Sequence, residues 1–279
     1  MSAEDFSDVF DAGVTHVWWG TVTEPVGPDG ALVLSAEERA AARTMTTEAG
    51  AYYSGAHLAV RRILAGYLGT GPAALHFGRL RCPECADPGH GAPCIVRPST
   101  ELSFSLSRSG PHWLLGVTGG GRRIGVDLEQ VLGFDTASVA PSVLSDRELA
   151  HLREEDGPAA QLAVFLRYWT RKEAVLKASG VGLMTDVRAV DVHAPPGSGP
   201  LLVHHAAATG PAAWVVEDLA VGPGRYAAVA REASAAGPVR LIGRQPPAGH
   251  GRPEPPEPLQ TRSTTWPAQP HATSSHSMT

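Results

Sequence analysis

The sequence predicts an α+β protein whose 279 residues form two similar lobes related by a pseudo-two-fold axis. The order of the predicted elements is the main observation: residues 14–122 give a strand, then helices, then several strands, and residues 123–232 repeat that order. The hydrophobic fraction of 43% is large enough to supply a core to each lobe. Because active sites often lie between such lobes, we expect the site in the cleft that separates them.

The first lobe opens with a strand at residues 16–23, which are rich in β-branched and aromatic side chains. Ser35 and Glu38 form a capping box, which predicts a helix that ends near residue 45. A second helix is predicted at residues 53–68, where apolar side chains share one stripe and two glycines follow. Three strands complete this lobe, at residues 75–79, 102–107 and 112–118.

The second lobe opens with a strand at residues 123–129. A helix capped at Ser145 is predicted to reach residue 153, and a longer helix spans residues 159–178 before two glycines. Four strands follow, at residues 189–193, 201–205, 213–217 and 225–230. Residues 1–13 are predicted to be an N-terminal extension, and residues 233–279, rich in Pro, Ser and Thr, a disordered tail.

Charge and composition exclude several classes of protein. The formal net charge of −5 does not suit a nucleic-acid binder. The N-terminus has no apolar signal region, and no apolar run could span a bilayer. Three cysteines, an odd number, argue against a disulfide framework. We therefore expect a cytoplasmic monomer with no membrane contact.

Two carboxylates lie on the first strand of the second lobe. Because side chains alternate along a strand, Asp127 and Glu129 point to the same face. A hard cation such as Mg²⁺ would relieve their mutual repulsion. The alternative is that both side chains lie on the solvated polar face of a half-buried strand. Taken alone, an Asp-x-Glu pair favours this alternative.

A stripe of mixed chemistry lies on the long helix of the second lobe. Helical spacing places Trp169, Lys172, Glu173 and Lys177 on one side. Glu173 and Lys177 could be an ordinary surface pair. Trp169, however, requires burial, and a partly buried stripe of mixed charge is typical of a phosphate and metal site.

Together these segments resemble the phosphopantetheinyl transferase family, specifically its surfactin-synthetase type, which has two lobes in one chain. The family signature is a Gly-(Val/Ile)-Asp-x-Glu strand followed by Trp-x-x-Lys-Glu-Ala-x-x-Lys, which residues 125–129 and 169–177 match. Residues 104–110 resemble its Asn-x-Ser-His-Ser motif, and residues 90–93 its Gly-Lys-Pro motif. The resemblance covers residues 14–232.

The resemblance implies that the chain moves the 4′-phosphopantetheine arm of coenzyme A to a serine of an apo acyl or peptidyl carrier protein, as in polyketide or nonribosomal peptide biosynthesis. Asp127, Glu129 and Glu173 would hold Mg²⁺. Glu173 and Lys177 would be catalytic, as proton acceptor and as partner of the leaving 3′,5′-ADP. The residues expected to bind coenzyme A are Ser107, Arg108, Lys172 and Lys177, with Arg61 and Arg62 as further candidates.

The sequence departs from the family pattern in two places. Arg108 stands where a histidine usually contacts the 3′-phosphate of coenzyme A, and Ala92 stands where a phosphate-binding lysine is common. Arg61 and Arg62 could replace the missing charge or only solvate their helix. Glu148 belongs to a capping box with Ser145, so it either caps its helix or lies near the metal.

The cysteines raise one further possibility. Cys82-x2-Cys85-x4-His90-x3-Cys94 is close to a zinc-knuckle pattern, but its last gap is one residue short. We do not expect structural zinc, because the same loop must face the nucleotide. A zinc-knuckle nucleic-acid module and a non-catalytic relative that binds coenzyme A or a carrier protein remain the alternatives to a transferase.

Overall fold

The computed structural model describes residues 8–11, 13–89, 91–131, 135–182, 185–194 and 198–244. The first half contains α1 Asp8–Asp11, β1 Thr15–Thr21, α2 Pro28–Val33, α3 Ala36–Arg43, α4 Thr47–Tyr67, β2 His76–Arg79, β3 Pro93–Arg97, β4 Ser103–Ser109 and β5 His112–Thr118. The second half contains β6 Ile124–Gln130, α5 Thr136–Val143, α6 Asp146–Glu154, α7 Pro158–Ser179, β7 Leu201–His204, β8 Ala213–Asp218, β9 Arg225–Glu232 and β10 Val239–Arg244. The α+β class predicted from the sequence is confirmed.

Two four-stranded sheets organise the molecule. The first has the order β10-β1-β5-β4, the second has the order β6-β9-β8-β7, and β2 and β3 form a separate hairpin. Helix α4 packs its apolar side on the first sheet, and α7 packs on the second. A third apolar cluster joins the two sheets, with Val17 and Leu114 from the first meeting Val126 and Val229 from the second. The two lobes therefore share a buried contact, which fixes the position of β4 relative to β6.

The end of the described chain differs from the prediction. Residues 233–244 were expected to belong to a disordered tail, but β10 returns to the first lobe and pairs in parallel with β1, with Thr15 opposite Val239. Arg240 also forms an ion pair with Asp8 of α1. The prediction is wrong for these residues because β1 offers an open edge whose backbone groups β10 satisfies. The rest of the predicted tail, residues 245–279, lies outside the described residues.

Other differences are local. The strand predicted at residues 189–193 is absent; a 3₁₀ turn at Val187–Ala189 and irregular chain occupy the region. Helix α4 begins at Thr47, six residues before the predicted start. Strand β3 was not predicted, nor were α2 and α5. Within the part of the chain that the structure describes, no helix combines the length and the hydropathy that crossing a bilayer requires.

Strand β6 approaches α7 closely at Gly125. A Cβ atom on this residue would lie 1.9 Å from the carbonyl oxygen of Ala174 and 2.4 Å from the backbone nitrogen of Ala178. Both contacts are with helix backbone, which cannot rotate away as a side chain could. The glycine of the motif is therefore required for the strand to lie against the helix.

We expect Gly125→Ala to destabilise the fold by about 3 kcal/mol, because the strand and the helix must separate to admit the methyl group. Chemical denaturation measures the change. Gly71→Ala is the matched control, since a Cβ there meets nothing within 4 Å and its φ of −74° suits alanine. Equal stability of the two variants would contradict the packing described for Gly125.

Candidate active site

A row of serines on β4 orients the carboxylates of β6. Because β4 is a regular strand, every second side chain points to the same side, and those of Ser105, Ser107 and Ser109 all face β6. The hydroxyl of Ser107 donates to Asp127 Oδ1 at 2.8 Å, and that of Ser109 donates to Glu129 Oε2 at 2.8 Å. Ser105 Oγ accepts from the backbone N–H of Val126 at 3.1 Å. Sequence reasoning missed Ser105 and Ser109, although serine at every second position from 103 to 109 was a visible signal.

Helix α7 supplies the opposite wall of the site. Trp169, Glu173 and Lys177 face the carboxylates of β6, and together they line one pocket of about 320 Å³. Lys177 Nζ donates to Asp127 Oδ1 at 2.5 Å and to Ser107 Oγ at 3.2 Å. Trp169 donates a hydrogen bond to Glu129. The structure thus brings together seven of the residues that the sequence singled out, namely Ser107, Arg108, Asp127, Glu129, Trp169, Glu173 and Lys177.

The pocket concentrates negative charge in a partly dry environment. Burial raises the pKa of Glu173 to about 7, and the charge of Asp127 acts in the same direction. Burial, with Asp127 again adding to it, also raises the pKa of Glu129. Three carboxylates in one pocket therefore repel one another, and a single lysine does not neutralise them all.

The donor set fits a hard divalent cation. Asp127 Oδ2 and Glu173 Oε1 are buried with no hydrogen-bond partner, and carboxylate oxygens are the ligands that Mg²⁺ prefers. Among the described residues, no three acidic, histidine or cysteine side chains lie in an arrangement that could hold a metal ion as they stand. The orphaned oxygens are the observation that supports the fit, because each could accept a ligand bond without losing a hydrogen bond.

The raised pKa of Glu173 has a consequence for stability without divalent cations. An unfolded glutamate ionises near pH 4.5, whereas Glu173 in the fold keeps its proton to about pH 7. The ionised form therefore costs stability as pH rises from 4.5 through 7. Between pH 4.5 and pH 7 the free energy of unfolding of the wild type should fall relative to that of Glu173→Gln by on the order of 2–3 kcal/mol. Denaturation in a chelator at several pH values measures this change; the exposed Glu154→Gln control should show none.

Lys172 and Glu148 lie in the interior, away from the acidic pocket. Both are 0% exposed, and Lys172 Nζ contacts Glu148 Oε2 at 2.8 Å. Lys172 also donates to the carbonyl oxygens of Val187 and Val190, at 3.1 and 2.5 Å. This placement leaves Lys172 unable to contact a phosphate, which differs from the role expected for it.

The carboxylate of Glu148 is also occupied by hydrogen bonds inside the protein. Its carboxylate accepts from the backbone N–H of Ser145 at 2.8 Å, which completes the capping box, and from that of Val192 at 2.8 Å. Of the two roles left open for Glu148, the structure shows the cap, together with a buried ion pair that the sequence did not indicate.

The first lobe repeats this construction. Ser35 and Glu38 form a capping box on α3, and Glu38 Oε2 binds Arg61 Nε of the long helix α4 at 2.7 Å. Arg61, 2% exposed, then donates to the carbonyl oxygens of Pro72 and Leu75. Although burial opposes the shift, hydrogen bonds from His57, the backbone of Ser35 and Arg61 lower the pKa of Glu38 to about 2. Arg61 is therefore a structural cation, and it does not line the acidic pocket.

The two remaining arginines occupy different places. Arg108 is exposed, lines the acidic pocket, and lies with its guanidinium carbon 4.6 Å from the ring centre of Tyr53. Burial of part of the group lowers its pKa. Arg62 is exposed on α4 and lines a separate pocket with Val22 and Trp113. The structure thus places Arg108 at the site and Arg62 outside it.

A second pocket adjoins the first. It has a volume of about 280 Å³ and is lined by Arg79, the 91–93 loop, Phe104, Lys177 and Gly182. Leu106 and Lys177 line both pockets, so the two pockets share a wall. Ala92, where a lysine was noted to be absent, lines this second pocket, whereas His90 lies outside the described residues. An acidic pocket, a lysine on its wall and an adjoining pocket suit a site of phosphate transfer.

Comparison with known proteins agrees with this class. A model of the 4′-phosphopantetheinyl transferase superfamily matches residues 123–230. The chain is 33% identical over 174 residues to the 4′-phosphopantetheinyl transferase HetI of Nostoc sp. strain PCC 7120, a match that spans 60% of this chain and 69% of HetI. It is 38% identical over 99 residues to AcpT of Salmonella typhi, which spans 35% of this chain and 50% of AcpT. A putative 4′-phosphopantetheinyl transferase of Synechocystis sp. strain PCC 6803 is 29% identical over 172 residues, 60% of this chain and 65% of that protein.

The chain belongs to the 4′-phosphopantetheinyl transferase superfamily. The family predicted from the two motifs is therefore confirmed, and with it the enzyme class. The roles of individual residues, and the surfactin-synthetase type within the family, stay predictions.

Proposed function

We propose that this protein transfers the 4′-phosphopantetheine arm of coenzyme A to a serine of an apo acyl or peptidyl carrier protein, with Mg²⁺ as cofactor and 3′,5′-ADP as the second product. The observation that carries the proposal is the convergence of Asp127, Glu129, Glu173 and Lys177 on one pocket that adjoins another. Because all these groups come from one chain, we further propose that the protein acts as a monomer. We also propose that it acts in the cytoplasm.

Lys177 is the residue that the proposal places beside the coenzyme A pyrophosphate. Its side chain lines both pockets, and its ammonium group donates a hydrogen bond to Asp127. In the reaction the serine oxygen forms a bond to the phosphorus next to pantetheine, and the bond from that phosphorus to the bridging oxygen breaks. Negative charge then grows on the departing 3′,5′-ADP, where the lysine can stabilise it.

Asp127, Glu129 and Glu173 are the residues that would hold the magnesium ion. Asp127 Oδ2 and Glu173 Oε1 have no other partner, and Ser107 and Ser109 hold the carboxylates of β6 in place. When bound, a magnesium ion supplies positive charge that stabilises the pyrophosphate oxygens.

Glu173 is the proposed acceptor of the serine proton. In the protein without a metal ion, burial raises the pKa of Glu173 to about 7, so its carboxyl group takes up a proton more readily than an ordinary glutamate does, which suits a proton acceptor. Glu148 is not proposed for this role, because it is 0% exposed and accepts hydrogen bonds from Ser145, Lys172 and Val192.

The test is incubation with coenzyme A, Mg²⁺ and a panel of apo carrier proteins, read by intact mass. We expect at least one carrier to gain the mass of phosphopantetheine, and a carrier whose acceptor serine is replaced by alanine to stay unmodified. A broad panel that contains acyl and peptidyl carriers and shows no gain would contradict the proposal.

Arg108 provides a sharper prediction about the coenzyme A donor. Its guanidinium lies at the end of β4, supported by the ring of Tyr53, and offers a planar set of donors to a phosphate. We expect Arg108→Ala to lower kcat/KM for coenzyme A about 10- to 100-fold, the effect of one hydrogen bond to a charged group. With dephospho-coenzyme A, which lacks the 3′-phosphate, the loss should largely disappear.

Steady-state kinetics with both donors measure this difference. Arg153→Ala, an exposed arginine on α6, is the control for loss of one positive charge. If Arg108→Ala weakens both donors equally, Arg108 does not contact the 3′-phosphate.

A further inference from the structure

The segment that connects β2 to β3 carries two thiols, those of Cys82 and Cys85, on one tight turn. The backbone N–H of Ala86 donates to the carbonyl oxygen of Cys82 at 2.8 Å, so residues 82–86 form a single helical turn. Cys82 and Cys85 are therefore neighbours on that turn, three residues apart. All three cysteines of the chain carry thiols rather than disulfides, with Cys82 2% exposed and Cys85 exposed.

The surroundings of Cys82 favour its thiolate. The backbone N–H of Cys85 donates to the Cys82 sulfur and lowers the pKa of that thiol; the N–H of Glu84 and the thiol of Cys85 add to the shift. The last of these contacts also shows that the two sulfurs face each other. Two sulfurs that contact each other on one turn, one buried and one exposed, are placed to form a disulfide.

Cys94 lies on the facing strand, outside the turn that holds Cys82 and Cys85. In the β2–β3 pair Cys94 lies opposite Gly78, four residues before Cys82 along the chain. Because Cys82 and Cys85 share one turn, they are the two cysteines that we expect to react with each other.

The two residues between the cysteines join the lobes. The carbonyl oxygen of Pro83 accepts from Thr209 Oγ1 at 3.2 Å, and Glu84 Oε2 accepts from the backbone N–H of Ala208 at 2.8 Å. Both partners lie in the loop between β7 and β8 of the second lobe. Pro83 also lines a cleft of about 270 Å³ together with Ala92 and Gly180. Ala92 lines the pocket beside Lys177 as well, so the turn borders a cleft that shares Ala92 with that pocket.

We propose that Cys82 and Cys85 form a thiol–disulfide site that reacts with a low-molecular-weight disulfide and, when oxidised, alters the wall of the coenzyme A cleft. The exposed Cys85 thiolate attacks the small disulfide RS–SR, forming a mixed disulfide and releasing one RS⁻. The Cys82 thiolate then attacks the Cys85 sulfur and displaces the second RS⁻. The protein loses two electrons, and the small disulfide is reduced to two thiols.

Formation of the disulfide changes the contacts that Pro83 and Glu84 make with the loop between β7 and β8. The sulfurs must approach to about 2.05 Å, and the contacts of the Cys82 sulfur with the N–H groups of Glu84 and Cys85 change as it moves. Pro83 and Glu84, which lie inside the new ring, shift with it. Because this wall is remote from the carboxylates, we expect the KM for coenzyme A to rise at least about threefold, with kcat nearly unchanged; this half of the inference rests on the proposed function.

The first experiment tests the chemistry alone, on the full chain. The protein is treated with glutathione disulfide, alkylated, digested and sequenced by mass spectrometry. We expect a fragment holding Cys82 and Cys85 that is two hydrogens lighter and takes no alkylating agent, while Cys94 is alkylated. Cys94→Ser should give the same result, and Cys85→Ser should give no internal bond. Alkylation of both Cys82 and Cys85 after treatment with excess disulfide would overturn the proposal.

The second experiment measures coenzyme A binding and turnover by the reduced and the oxidised protein. Direct binding by calorimetry is included, so that a failure of the transferase proposal cannot be mistaken for a failure of this one. We expect weaker coenzyme A binding after oxidation, recovery on reduction, and no response in Cys85→Ser. A disulfide that forms without any change in affinity would refute the link to the cleft.

Discussion

Asp127→Asn is expected to reduce kcat by about 10²- to 10⁴-fold, since it removes one charge from the group that holds the cation and faces the pyrophosphate. The asparagine oxygen can still accept the hydrogen bond of Ser107, so the loss reports the charge and not the local structure. Glu173→Gln should cause a loss of the same order. The measurement is turnover at saturating coenzyme A, Mg²⁺ and carrier protein.

Asp146→Asn is the control for this prediction. Asp146 is 92% exposed and pairs with a half-exposed Arg188 on the surface, so its neutralisation should change kcat by less than about twofold. Thermal unfolding of Asp127→Asn should show that the variant is folded. If folded Asp127→Asn keeps half or more of the wild-type turnover, the carboxylates of β6 are not required for the reaction.

Lys172→Met is expected to destabilise the protein by about 3–5 kcal/mol, because it leaves Glu148 as an unpaired charge in the interior. The carbonyl oxygens of Val187 and Val190 lose their donor in the same step. Glu148→Gln should also destabilise the fold, since it leaves the ammonium of Lys172 unpaired. The double variant should be less unstable than the sum of the single ones, which chemical denaturation can establish.

The same variant separates two roles for Lys172. If the residue is structural, Lys172→Met measured well below its unfolding temperature should keep a KM for coenzyme A close to that of the wild type. A KM raised tenfold or more, in a variant of unchanged stability, would show instead that Lys172 binds phosphate.

The acidic face could be predicted from the sequence because strand alternation and helical spacing are local rules. They place Asp127 with Glu129, and Trp169 with Glu173 and Lys177, whatever the rest of the chain does. The serines of β4 obey the same rule, but their contact with β6 depends on how the two sheets meet. That contact is a tertiary feature that no local pattern contains.

Lys172 and Arg61 show why burial was harder to predict. Each lies next to the apolar side of a long helix, and the sequence does not say which neighbouring charge will be enclosed with it. The structure pairs each with the glutamate of a capping box, in the same way in both lobes. The expected strand at residues 189–193 fails for the same reason, because the backbone groups of Val190 and Val192 bind the buried pair instead of a neighbouring strand.

The most direct test of the account is one reaction in which 3′,5′-ADP release and the mass of a single apo carrier protein are followed together. With wild-type protein, coenzyme A and Mg²⁺, we expect the two products to form in equal amounts. A chelator should stop the formation of both, and Asp127→Asn should form neither at a comparable rate. Release of 3′,5′-ADP without modification of the carrier, or modification that persists in the chelator, would contradict the account.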